Sequence, residues 1–183
     1  MVRYRKVVVA LLFILLVGST MAGAAEKPWY ASKLEELGFF VFDPPFQFQD
    51  FRVTDLKGGS ILRTSTKGKV VLLNFWATWC PPCREEIPSI ESLSKSMAGK
   101  KFEVFAVSVG EDASTVKSFV EEKKMTYPIY LDSRNLLSRT YASQGIPTTY
   151  LLDKNGKFIA GIVGSYKYDN AAFIAFLSEL SSK

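Results

Sequence analysis

The sequence predicts an α/β domain in which a mixed central sheet is flanked by helices. Three observations lead there. Val70 to Trp76 is a run of strand length, apolar but for Asn74, which suits a central strand buried on both faces. From Lys69 onward, strand-like and helix-like segments alternate. Near the C-terminus, Asp153-Lys154-Asn155-Gly156 separates two apolar runs and signals a hairpin, so the sheet contains an antiparallel pair as well.

In chain order, the stretch from Glu26 to Leu37 is weakly amphipathic. Phe39 to Phe42 is strongly apolar, and Pro44-Pro45 breaks any helix there. Phe46 and Phe48, then Phe51 and Val53, suggest extended chain. Gly58-Gly59 is a turn before Ile61-Leu62, which together describe an N-terminal β-hairpin extension. After the central run, a helix starts near Cys80. Phe102 to Val109 alternates as a second strand. Asp112 is placed to cap a helix carrying Val116, Phe119 and Val120. A short strand is expected near Ile129 to Leu131 and a short helix near Leu136 to Tyr141. Thr148 to Leu152 and Lys157 to Val163 are the hairpin arms. Asp169 is placed to cap a last helix striped by Phe173, Phe176, Leu177 and Leu180.

The chain of 183 residues has room for one domain plus a terminal extension. Residues 1–25 read as a targeting segment, 26–50 as an extension and 51–183 as the main domain. Arg3, Arg5 and Lys6 form a positive n-region, Val7 to Val17 is continuously apolar, and Ala22-Gly23-Ala24 offers a cleavage site. The positive-inside rule sends the remainder out of the cytoplasm, to a periplasmic or other extracytoplasmic space. Cleavage, leaving a soluble domain, is the preferred reading because the strongly apolar part is short. An uncleaved inner-membrane anchor over residues 7–25 is the alternative. No cysteine lies there to carry a lipid. The formal charge of +5 is largely the leader's: beyond residue 25, 20 basic and 18 acidic residues remain. A nearly balanced domain gives no electrostatic reason for a nucleic-acid partner.

The chain has two cysteines and no histidine. Two cysteines cannot complete a tetrahedral zinc site without carboxylates or histidine, and the usual histidine-assisted nucleophile is unavailable. No metal and no cofactor is expected. The chemistry points to Cys80-Pro81-Pro82-Cys83. With Cys80 at an N-cap and Pro81 at the first helical position, the helix start favours an anion, so a Cys80 thiolate is stabilised. Cys83, one turn deeper, is better placed to resolve a mixed disulfide. A structural staple and a metal site are the competing readings. So small a loop contributes little as a staple, because stabilisation grows with loop length.

The segment Phe75-Trp76-Ala77-Thr78-Trp79-Cys80-Pro81-Pro82-Cys83-Arg84-Glu85-Glu86-Ile87-Pro88 resembles the active-site signature of the TlpA/ResA-like thiol-disulfide oxidoreductases, within the thioredoxin superfamily. Gly145-Ile146-Pro147-Thr148-Thr149 resembles that family's cis-proline loop, and Gly110 to Asp132 its inserted helix and strand. The resemblance spans roughly residues 51 to 180. It implies a thioredoxin-like fold, a cis Ile146–Pro147 bond facing the dithiol, and an Ile146 backbone that pairs with substrate chain. Trp79 is expected to shield and line the site. Thioredoxins carry a buried acid six positions before the first cysteine. Asn74 stands there, and it cannot accept a proton. Glu86, three residues after Cys83 and on the same helix face, matches the family glutamate that manages protons near the dithiol. The bland reading of Glu86 is a surface charge paired with Arg84. Glu85 reads as solvated surface.

By the same resemblance the protein is a reductase of protein disulfides, recharged by a membrane electron donor of the CcdA or DsbD type, with apocytochrome c as a substrate. Nothing between the cysteines supplies the extra thiolate stabilisation of a strong oxidase. A disulfide-donating oxidase is the alternative. Two other classes are rivals. One is a peroxidase, but the residues before Cys80 do not resemble a peroxiredoxin loop. The other is a non-enzymatic binding module, a cytochrome-assembly scaffold or a copper carrier, and copper carriers of the Sco type need a histidine that this chain lacks.

Overall fold

The computed structural model describes residues 27–47 and 50–183. The leader expected over residues 1–25 and the extended chain expected at Phe48 lie outside them. Helix α1 (Ala31–Glu36) is followed by strands β1 (Phe40–Phe46), β2 (Arg52–Asp55) and β3 (Ser60–Leu62), a 3-10 turn at Arg63–Thr66, and β4 (Val70–Trp76). Then come α2 (Pro81–Ser96), β5 (Phe102–Val109), α3 (Ala113–Lys123), β6 (Ile129–Asp132) and α4 (Ser138–Tyr141). Strands β7 (Thr148–Leu152) and β8 (Phe158–Val163) and helix α5 (Ala171–Ser182) complete the chain. The sheet runs β1-β8-β7-β4-β5-β6-β2-β3. Its centre is parallel through β4, β5 and β6, and the remaining pairs are antiparallel. This is a thioredoxin-like fold.

All seven residues of β4 are buried. Its even-numbered positions face the layer of α2, α3 and α5, and its odd-numbered positions face α4. On the first side Trp76 meets Phe119 of α3, with ring centroids 5.8 Å apart. On the second side Phe75 stacks on Tyr141 at 5.9 Å, and Tyr141 stacks on Phe158 at 5.8 Å. The parity of one buried strand therefore sorts the two halves of the core.

The expected hairpin is β2–β3, which closes at Gly58-Gly59 and pairs with β6. Residues 27–47 do something else. They add α1 and the edge strand β1, which pairs with β8 and runs through Pro44 and Pro45, with a cis Asp43–Pro44 bond. Neither proline has an N–H to offer a ladder, so β1 is confined to an edge, and its register shifts between Val41 and Phe46. The last helix is capped one residue later than the sequence indicates. Asn170, not Asp169, accepts the Phe173 N–H at 2.8 Å, and its amide nitrogen is held by the Tyr166 hydroxyl and the Lys167 carbonyl. Two adjacent residues of cap type left the choice open in the sequence, and the contacts of Asn170 with Tyr166 and Lys167 in the preceding turn favour the second.

Phe39 ties this N-terminal part into the core. It is 3% exposed, stacks on Phe173 of α5 at 5.3 Å and meets Tyr166 edge-on at 5.1 Å. Phe39→Ala is expected to lower stability by about 3 kcal/mol, read from urea unfolding. A loss below about 1 kcal/mol would mean that these residues lie on the domain without stabilising it.

Candidate active site

Strand β4 ends at Trp76, and Ala77, Thr78 and Trp79 lead to the start of α2. Cys80 is the N-cap residue, extended at φ −89° and ψ 108°, and Pro81 and Pro82 open the helix. The Cys83 N–H donates to the Cys80 sulfur at 3.3 Å. That donor, with the helix start behind it, is what stabilises a thiolate. The two cysteines are joined, with S–S 2.05 Å and Cα–Cα 5.3 Å. Both are buried, whereas Trp79 beside them is 65% exposed.

The loop before β7 closes the site from the other side. The Ile146–Pro147 bond is cis, and the Ile146 carbonyl oxygen lies 3.7 Å from the Cys80 sulfur. The Gly164 N–H donates to the Pro147 carbonyl at 2.8 Å and the Thr148 hydroxyl to the Gly145 carbonyl at 2.7 Å, so the end of β8 and the start of β7 hold this loop. Beside it lies a cavity of about 240 Å³, walled by Thr148, Tyr150 and Val163 of the hairpin and by Phe40 of β1.

Glu86 is 2% exposed, so the reading as a surface charge paired with Arg84 fails. It projects from α2 onto β4, where the Asn74 amide nitrogen donates to its Oε1 at 2.8 Å. The Tyr166 backbone N–H approaches Oε2 at 3.4 Å. Burial outweighs both donors and pushes the Glu86 pKa up to about 8. The Asn74 amide also donates to the Thr149 hydroxyl oxygen at 2.9 Å, which accepts from the Tyr168 hydroxyl at 2.7 Å. Thus Asn74 cannot take a proton, but it orients the group that can.

The structure brings Cys80 and Cys83 together with the cis Ile146–Pro147 loop, while Trp79 precedes Cys80 with its ring exposed and Glu86 lies one turn beyond Cys83 on α2. Glu85 is exposed, as expected. Sequence reasoning missed Thr149, Tyr166 and Tyr168, which hold Glu86 and Asn74 from β7 and from the segment after β8. It also missed Glu111, whose carboxylate meets the loop before Cys80. The only local hint for Glu111 was an acid directly after a buried strand. Among the described residues no group of three metal-ligating side chains occurs.

The sequence model of the AhpC/TSA family matches residues 46–160. The thiol-disulfide oxidoreductase ResA of Bacillus cereus (strain ATCC 10987 / NRS 248) is 36% identical over 151 residues, 82% of this chain and 84% of that protein. ResA of Geobacillus thermodenitrificans (strain NG80-2) is 40% identical over 116 residues, covering 63% and 67%. Among solved structures, a putative thiol:disulfide interchange protein DsbE from Chlorobium tepidum superposes with TM-score 0.65 at 28% identity, covering 73% of this chain and 96% of that one. StoA from Bacillus subtilis gives TM-score 0.59 at 27% identity, covering 69% and 96%.

The raised Glu86 pKa makes stability pH-dependent. Between the usual carboxylate value and about 8, the folded chain holds a proton that the unfolded chain releases. Stability is therefore full below the usual value and falls as pH rises through that window, by up to about 1.4 kcal/mol per unit. Urea midpoints of the oxidised protein at about pH 5 and about pH 8 should show this fall, and Glu86→Gln should lack it. Equal slopes in the two proteins would mean that Glu86 stays ionised.

Proposed function

The chain belongs to the AhpC/TSA family, among the ResA thiol-disulfide oxidoreductases, and from that membership we propose that it reduces disulfides of exported proteins with Cys80 as attacking thiol and Cys83 as resolving thiol. One observation carries the assignment of roles. Cys80 caps α2 and accepts the Cys83 N–H, while Cys83 lies one turn inside, against the Glu86 side of the helix.

The Cys80 thiolate attacks one sulfur of a substrate disulfide. A Cys80–substrate bond forms, and the other substrate sulfur leaves as a thiolate. The Ile146 backbone and cis-Pro147 receive the substrate chain beside the bond, and Trp79 covers its outer side. In the molecules whose Glu86 is ionised, the carboxylate takes the Cys83 proton, and the Cys83 thiolate attacks the Cys80 sulfur. The second substrate sulfur leaves, two electrons have passed to the substrate, and the protein holds the Cys80–Cys83 disulfide. Burial that lifts the Glu86 pKa to about 8 makes its ionised form a stronger proton acceptor than an ordinary carboxylate. Burial of Glu86 against Asn74 supports this role.

The direction rests on what surrounds Cys80. Its thiolate is supported by the helix start alone, with prolines between the cysteines. A strong oxidase stabilises its reduced form much further. The source of electrons is proposed as a membrane donor of the CcdA or DsbD type, and apocytochrome c as one substrate. The leader-like residues 1–25 support export, by cleavage or with residues 7–25 as an anchor. Among the described residues no helix is long and apolar enough to cross a membrane.

The reduction potential of the pair, measured in defined thiol buffers, decides the direction. A value near about −270 mV is expected for a reductase, and one near about −120 mV would reverse it. Cys80→Ser should abolish disulfide reduction. Cys83→Ser should accumulate a mixed disulfide with an oxidised apocytochrome c peptide, and absence of that adduct would remove this substrate.

A further inference from the structure

The segment between β4 and the dithiol is held by a residue that the reaction itself does not use. We propose that Glu111 is a positioning residue: its carboxylate fixes Thr78 and thereby keeps Cys80 on the cap of α2. Glu111 stands two residues past the end of β5, where α3 and β6 branch away from the site. It is 7% exposed. Its Oε2 accepts the Thr78 backbone N–H at 2.9 Å and the Ser108 hydroxyl at 2.7 Å, and its Oε1 accepts the Thr78 hydroxyl. Its own carbonyl accepts the Ser133 hydroxyl at 2.6 Å. Among the described residues it joins no ion pair.

A buried carboxylate without a cation is tolerated only when donors surround it. Two of the three donors here come from one residue, Thr78, two positions before Cys80. The other, Ser108, sits on β5, whose register with β4 is fixed by seven paired residues. Glu111 therefore fastens the loop to rigid sheet. The loop's own closure is a single backbone bond, from the Cys80 N–H to the Ala77 carbonyl at 3.3 Å. With Glu111 gone, the Thr78 N–H loses its acceptor, the loop opens, and Cys80 leaves the cap for part of the time. A thiolate away from the helix start moves toward the pKa of a free thiol.

A second role for the same carboxylate predicts the opposite sign. Were Glu111 merely a negative charge near Cys80, removing it would ease thiolate formation and lower the pKa. Charged groups on neighbouring elements include Arg84, Glu85 and Glu86 on α2, Asp112 and Lys123 on α3 and Asp132 of β6, with Arg84 and Lys123 lying over the Phe119 ring. All are unchanged in the variants below, so the direction of the shift separates the two roles.

The test is alkylation of the reduced full chain by iodoacetamide as a function of pH, in wild type, Glu111→Ala, Glu111→Gln and Thr78→Val. Glu111→Ala leaves Thr78 without an acceptor and should react about tenfold more slowly at neutral pH, with a midpoint about one unit higher. Glu111→Gln keeps one acceptor oxygen for the Thr78 N–H, and Thr78→Val keeps the backbone donor and loses the hydroxyl, so both should shift the same way by less. A midpoint that is unchanged or lower in Glu111→Ala overturns the proposal, whatever the melting temperature does. If Glu111→Ala does not fold, Thr78→Val decides alone. The inference rests on Cys80 being the attacking thiol. Fragmentation of the labelled peptide checks this separately, and labelling at Cys83 ahead of Cys80 removes both readings.

Discussion

The site depends on one strand that has no freedom. β4 is buried along its whole length and is bonded to β5 on one side and β7 on the other. Each part of the site is at most one contact away from it. The dithiol helix leaves its C-terminal end, the cis-proline loop enters β7 beside it, Glu86 rests on its Asn74, and Glu111 reaches the loop that leaves it. A shift of β4 by one residue would exchange its two faces and dismantle all four relations together. The apolar run from Val70 to Trp76 is thus the basis of the chemistry as much as of the core.

Two buried carboxylates flank the dithiol, and their surroundings divide the labour. Glu86 has one good donor, one long one and heavy burial, so its pKa is lifted to about 8. Glu111 is ringed by three donors from the loop and β5 and is committed to holding them. Glu86 is placed by the helix that carries the cysteines. Glu111 is placed by the strand next to β4, at the entry to the unit formed by α3 and β6. That unit therefore braces the reactive edge as well as lengthening the sheet.

What was legible in the sequence was local. The β4 run, the Cys80 cap with its two prolines, the Asp112 cap and the Asp153–Gly156 turn each announce themselves within a few residues, and the structure has them in place. Glu86 was legible through its helical spacing from Cys83. The partners that hold it were not. Thr149 is 75 positions from Asn74, and Tyr166 is 80 from Glu86, so only the closed sheet makes them neighbours. Strand β1 was hidden for a different reason. Two consecutive prolines argue against a strand, and only an edge position, where a missing N–H costs nothing, makes one permissible.

That edge has a consequence for a protein whose business is with other polypeptides. Chains that present a disulfide for reduction also present unpaired backbone, and any open sheet border is a place for them to lodge. Here one border is β1, with no amide hydrogen at Pro44 or Pro45, and the other is β3, only three residues long. Neither can offer a continuous ladder to a visitor. The blunted borders therefore give a passing extended chain no continuous template on which to add itself to the sheet.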